Sequence, residues 1–364
     1  MVLLNHFGAY GWQRANGFAT GSDAAFPWLS FMVGTGAVGV EIFFVISGFV
    51  IAMSATGARP LGFVRNRVIR IAPALWTCAT IALVARLAYG EPLGDLLEAY
   101  LRTIFLFPDG PYVDGVVWTL IVEAVFYALV FLAISVGPRV SLERLAIVLG
   151  AASAAFGTIF AAATFELAGG ASDGLTDLLN RFAFKLLLSR HGVFFALGML
   201  LFSMHRHGAT PLKGALAGAF SLFALLEIAA SAGGGVAAAV QGAIWLLAVV
   251  AIIASVRHGE AVERLLGGGQ RLARDLGRLS YPLYLNHYSL GMVLVPSLFG
   301  LGMGPVGTLL AALTIVVVSS WLVVQWPERT GQQWLRRCLP TSSARAWNPS
   351  AERGAMLATR ETSS

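Results

Sequence analysis

GVEIFFVISGFVIAMSATGARPLGFVRNRVIRIAPALW, residues 39–76, decides the reading of this chain. An apolar, glycine-studded run carries one carboxylate, Glu41. A short loop follows, then three arginines in six residues, Arg65, Arg67 and Arg70, and apolar sequence resumes at once. A membrane span that ends in an arginine cluster marks the cytoplasmic face, because basic loops are retained on that side. The same cluster offers a site for an anionic ligand at that face.

Composition outside this stretch agrees. Hydrophobic residues make up 57% of the 364 and charged residues 12%, where a soluble domain carries about 25% charged. The net charge of +6 follows membrane topology and does not point to nucleic acid. Cys78 and Cys338 stand in different segments with no ligand spacing, so neither a disulfide framework nor a metal site is indicated. The expected fold class is all-α, a polytopic transmembrane helix bundle, since irregular backbone cannot face lipid.

A span needs about 20 mostly apolar residues. Candidates fall near 31–54, 69–89, 116–136, 145–167, 182–204, 211–231, 236–256, 279–299 and 305–326. The stretch 93–107, with Glu91, Asp95, Glu98 and Arg102, reads as an interfacial helix. If the arginine loop is cytoplasmic, alternate loops and the C-terminal tail hold 19 of the 25 Lys and Arg residues. This is the positive-inside pattern. It predicts a multi-pass protein of the inner, cytoplasmic membrane with its C-terminus inside. The parity then requires residues 11–30 to lie outside. Either residues 1–10 dip into the outer leaflet, or most of a first helix lies upstream and the intact bundle has about ten spans, the first truncated here. Residues 1–327 form the expected membrane domain; 328–364 read as a polar, disordered cytoplasmic tail.

Ionisable groups inside spans cost on the order of 2.5–3.5 kcal/mol near a helix centre on insertion scales and are the default functional candidates. Here they are His6, Glu41, Glu123, Lys185, Arg190, His191, Glu227 and His287. Glu123 and Thr119 share a helix face, four residues apart. Glu123 acts either as a polar clamp between helices or as the group that orients a catalytic imidazole, with His6 the candidate general base. Arg67 and Arg70, three residues apart, serve either as headgroup anchors or as donors to phosphates, which planar guanidinium groups suit. Asn286 and His287 either line a cavity or bond a neighbouring helix. Inter-helix contacts account for Glu227 and the Arg190–His191 pair.

Taken in order and spacing, these motifs resemble the acyltransferase 3 family of membrane acyltransferases. The matching pieces are the His6 segment, GVEIFFVISGF at 39–49, FVRNRVIRIAPALW at 63–76, WTLIVEAVFYAL at 118–129, FALGM at 195–199 and LSYPLYLNHYSL at 279–290. The WTL-x-x-E-x-x-FYAL form is similar to exopolysaccharide O-acetyltransferases within the family. The resemblance implies O-acylation of an extracytoplasmic glycan or lipid-linked glycan. The donor would be acyl-CoA, in the usual case acetyl-CoA, taken as a substrate, with no tightly bound cofactor. It implies that His6 is the essential first-helix histidine and that Arg67 and Arg70 are the Arg-x-x-Arg pair. Glu123 would be the acidic residue of a Ser/Thr-x-x-x-Glu motif with Thr119, while Glu41, Ser47, Asn286 and His287 support. The family's closing Glu-x-Pro reads Gln325-Trp326-Pro327, without its carboxylate. The expected mechanism has His6, oriented by Glu123, deprotonate the acceptor hydroxyl. Its difficulty is depth, because the arginines are expected about 20 Å from Glu123, some 13 residues of helix. A transporter or flippase of lipid-linked glycan is the rival reading of the same buried charges.

Overall fold

A computed structural model describes residues 2–7, 35–137, 140–165 and 173–339. After a short helical segment, α1 (Val2–Asn5), come α2 (Val38–Ala55), α3 (Pro60–Ala88), α4 (Leu93–Ile104) and α5 (Val117–Ser135). Then follow α6 (Leu142–Thr164), α7 (Asp173–Leu179), α8 (Phe182–Leu186), α9 (Gly192–His207), α10 (Pro211–Ser231) and α11 (Gly235–Arg257). The last are α12 (Gly259–Leu266), α13 (Gln270–Gly300), α14 (Pro305–Gln325) and α15 (Pro327–Cys338). Starts follow local chemistry. Pro60 and Pro211 sit in first turns, where a missing N–H costs nothing. Ser141 and Thr210 accept bonds from the backbone amides of Arg144 and Lys213.

The helices form two groups. In the first, α9 lies between α2 and α6, with α10 and α11 behind. Its tightest contact is α2 on α9. A Cβ on Gly48 would strike the Phe195 carbonyl, and one on Gly198 would strike that of Val45. Small residues let helix backbones touch in this way, where lipid supplies no hydrophobic drive. In the second group, α13 packs on α14 and α3, and α15 folds back along α3 with Gly331 against Pro73. The α5 helix bridges the groups. Its Phe126 stacks on Phe195 at 4.3 Å, while its Val117, Leu120 and Ile121 join the core of α3 and α13. Although only four residues connect α2 to α3, each packs mainly on its own group, so the two diverge and leave space between them.

Seven stretches among the described residues are long and apolar enough to cross a membrane: Val38–Ala55, Pro60–Ala88, Val117–Ser135, Leu142–Thr164, Pro211–Ser231, Gly235–Arg257 and Pro305–Cys338. Leu132, Val148, Leu222, Leu247 and Leu310 point outward from them, as expected of helices bathed in lipid. The protein is thus an all-α, multi-pass membrane bundle. Two expected spans differ in form. The run 182–204 is broken at Leu188, which takes φ 60°, leaving α9 only 16 residues long, buried up to Ser203 apart from a half-buried Leu201. The run 279–299 is the apolar part of a 31-residue helix whose first ten residues carry three arginines and an aspartate. Residues 327–338 form a helix where the tail was expected to be disordered. The α4 helix is amphipathic and lies where an interfacial helix was expected. The 11–30 segment, the beginning of the 31–54 run and residues 340–364 lie outside the described residues.

Candidate functional site

The space between α2 and α3 is a cavity of about 410 Å³, closed by α5 and α13. Arg67 and Arg70, Ser47, Thr119 and Glu123 all line it. The arginines reach it because α3 begins at Pro60 and carries them two to three turns in, rather than leaving them in a loop. This removes the expected depth problem: arginines and carboxylate face one space. Arg67 lies over the rings of Phe63 and Tyr127, and its Nε is buried with no hydrogen-bond partner. Arg70 lies over Tyr281 and pairs with Glu328 at 3.5 Å. That carboxylate follows Pro327 and stands near where the family's closing acid is missing. Glu123 accepts a hydrogen bond from the Ser47 hydroxyl, and Tyr127 lines the same cavity.

The expected pairing of His6 with Glu123 does not occur. His6 is held instead by α13. Phe7 wedges into the core of α13 and α14 with its ring tip against Gly291, where any Cβ would meet it. His6 Nδ1 then lies 2.7 Å from His287 Nε2, with the two rings stacked 16° from parallel. His287 Nδ1 lies 2.6 Å from the Tyr284 carbonyl. A carbonyl only accepts, so His287 Nδ1 carries the hydrogen and, in the neutral ring, its Nε2 accepts. His6 Nδ1 must therefore donate, which puts the lone pair of neutral His6 on Nε2. A carbonyl and a second histidine fix the tautomer, the role expected of Glu123.

His6 lines a second cavity of about 360 Å³ with Glu41, Trp118, Lys185, Arg190 and His191. Val2, Val40 and Tyr284 line both cavities and form the wall between them. The Tyr284 hydroxyl bonds Thr119 Oγ1 at 2.8 Å, one turn along α5 from Glu123. A polar ladder thus runs from Glu123 and Thr119 through Tyr284 and His287 to His6. Of the expected residues, Asn286 and His287 line neither cavity: His287 is enclosed behind His6, and Asn286 Nδ2 donates to Ser320 on α14. Arg190 and Glu227 form the expected inter-helix contact at 2.6 Å. Tyr127, Tyr281 and Tyr284 were missed. Tyr284 had one legible signal, its position three residues before His287 on the same helix.

The site is thus two adjoining cavities inside a membrane bundle, with the part-buried His6 imidazole lining the second of them. Residues 1–325 match the family described as an acyltransferase domain, and the chain belongs to that family, acyltransferase 3. It is similar to the exopolysaccharide production protein ExoZ of Rhizobium meliloti (strain 1021), 33% identical over 103 residues. That match covers 26% of this chain and about a third, 32%, of the relative. No solved structure matches the chain. Membership of a family described as an acyltransferase domain favours the enzyme reading over the transporter.

Proposed function

We propose that this acyltransferase moves an acyl group, in the usual case acetyl, from acyl-CoA to a hydroxyl of an exported or envelope glycan. The observation that carries the reading is the chain from His6, which lines the second cavity, through His287 to the carbonyl of Tyr284, which lines both cavities. The donor enters the arginine-lined cavity from the cytoplasmic side, where acyl-CoA is made. Arg67 supports this: its unpartnered Nε–H is a donor awaiting an anion or carbonyl oxygen. The glycan acceptor rests on the printed name of the relative and on the second cavity's polar lining. The positive-inside pattern supports a bundle in the inner membrane with its C-terminus in the cytoplasm.

In the proposed step His6 Nε2 accepts the proton of the acceptor hydroxyl as its oxygen attacks the thioester carbonyl. The C–S bond then breaks, and the departing thiolate takes the proton back from His6. His287 keeps Nδ1 of His6 engaged throughout. Glu123, with Ser47 and Tyr127, holds the donor cavity's polar end beside Arg67 instead of orienting His6.

The test uses the full chain in lipid nanodiscs with radiolabelled acetyl-CoA and alkali-deacylated envelope polysaccharide. His6→Ala should lower transfer about 100-fold or more, the usual worth of a general base, while acetyl-CoA still binds. Undiminished acylation by H6A would sink the mechanism. Mass spectrometry of polysaccharide from cells lacking the protein should show lost esters on an otherwise intact glycan.

A further inference from the structure

The second cavity is not explained by the donor. It is built from one end of the bundle: the beginning of α2 and α5, the ends of α6 and α10, and the turn before α9. That end is opposite the one where α3 presents its arginines. Its lining is unusually polar for a membrane interior, and part of it has no partner. Glu41 Oε2 and both ring nitrogens of His191, a residue only 4% exposed, are buried without hydrogen bonds. Leaving such groups unsatisfied costs on the order of 1–3 kcal/mol each, so they call for a ligand that supplies donors and acceptors together. Arg190 is not available to one, because Glu227, Asn180 and Ser231 hold its guanidinium. Lys185 is different. Its ammonium stands 5.2 Å from the Trp118 ring centroid and forms no ion pair among the described residues. It is one of only two lysines in a chain of 25 cationic residues; the other, Lys213, is tied to Glu143 at 2.9 Å.

We infer that this cavity is the acceptor subsite and that it takes a hydroxyl-rich sugar ring of the glycan, directly over His6 Nε2. The inference rests on the acyl-transfer reading above. Glu41 accepts from one ring hydroxyl, Lys185 donates to another, and His191 offers one donor and one acceptor. The Trp118 face covers an apolar side of the ring. A sugar meets all four needs because each hydroxyl both donates and accepts, whereas an acyl chain would leave the same atoms unpaired. The carboxylates balance the cations here, so the site suits a neutral ring better than a charged one.

Lys185 provides a direct probe. The full chain in nanodiscs is labelled with water-soluble N-hydroxysuccinimidyl propionate, with and without alkali-deacylated envelope polysaccharide, and read by mass spectrometry. The glycan should protect Lys185 at least 5-fold and leave Lys213 unaffected. In transfer assays Glu41→Gln and Lys185→Met should each raise the acceptor KM at least 10-fold, with acetyl-CoA affinity held within 2-fold. Equal labelling of Lys185 with and without glycan, or an unchanged acceptor KM in both variants, overturns the subsite. The two readings fail separately. Acetyl transfer without protection of Lys185 removes this subsite and keeps the function. Protection without transfer keeps the subsite and removes the function.

Discussion

His287 changes what His6 is. Alone, an imidazole near a helix end has two equivalent tautomers. Here the Tyr284 carbonyl admits only one for His287, and through it only one for His6. Replacing His287 with Phe keeps an aromatic ring in the stack but removes the acceptor for His6 Nδ1. His287→Phe should therefore lower kcat about 100-fold and leave the donor KM within 2-fold, measured with acetyl-CoA in nanodiscs. A matching rise in donor KM would mean that His287 serves the fold and not the proton. Arg67 makes the opposite split. Its buried Nε–H has no equivalent in lysine, whose ammonium is a single point of donation. Arg67→Lys should raise the donor KM about 10-fold or more, the worth of one hydrogen bond to a charged group, with kcat less affected. The residues themselves were legible because charge inside apolar sequence is rare and conspicuous. Their pairing was not, because 281 residues separate His6 from His287 and nothing local to either names the other.

At the scale of helices, glycine sets the geometry that residue patterns left open. The α2–α9 contact holds because Gly48 and Gly198 have no Cβ, each facing a carbonyl of the other helix. Gly198→Leu must push α9 away from α2, and through Phe195 disturb Phe126 on the bridging helix. Overpacking of this kind costs about 1–3 kcal/mol and more where backbone is struck. The variant should lose thermal stability in detergent, seen as a lower apparent Tm, and donor binding should weaken with it because α2 forms one wall of the arginine cavity. The spans themselves were readable from hydropathy, since seven of them are continuous helices. The break at Leu188 was not, because Lys185, Arg190 and His191 read as polar groups inside one apolar run and no Pro or Gly stands at the break itself. Its cause is tertiary: the turn lets Arg190 reach Glu227 and lets His191 reach the second cavity. The splay of α2 from α3 was equally hidden. A four-residue connection reads as a tight hairpin, yet each helix finds better packing in its own group.

For the whole molecule, the proposed chemistry depends on which way the bundle faces. A donor cavity that opens to the wrong side would meet no acyl-CoA. The cysteines allow a test without any added label site. Cys78 is buried in α3 at 2% exposure, whereas Cys338 is exposed in the last turn of α15, beside Arg336 and Arg337. Because α15 packs along α3 and Glu328 holds Arg70, Cys338 reports the side on which the arginine end of α3 lies. A membrane-impermeant maleimide should leave intact spheroplasts unlabelled and should label inverted vesicles at one site per chain. Cys338→Ser should abolish that signal, which excludes Cys78 as its source. Labelling from the outside of spheroplasts would reverse the bundle and turn the arginine cavity away from the cytoplasm. The positive-inside reading and the acyl-CoA donor would then fall together, because both rest on the same arginines facing inward.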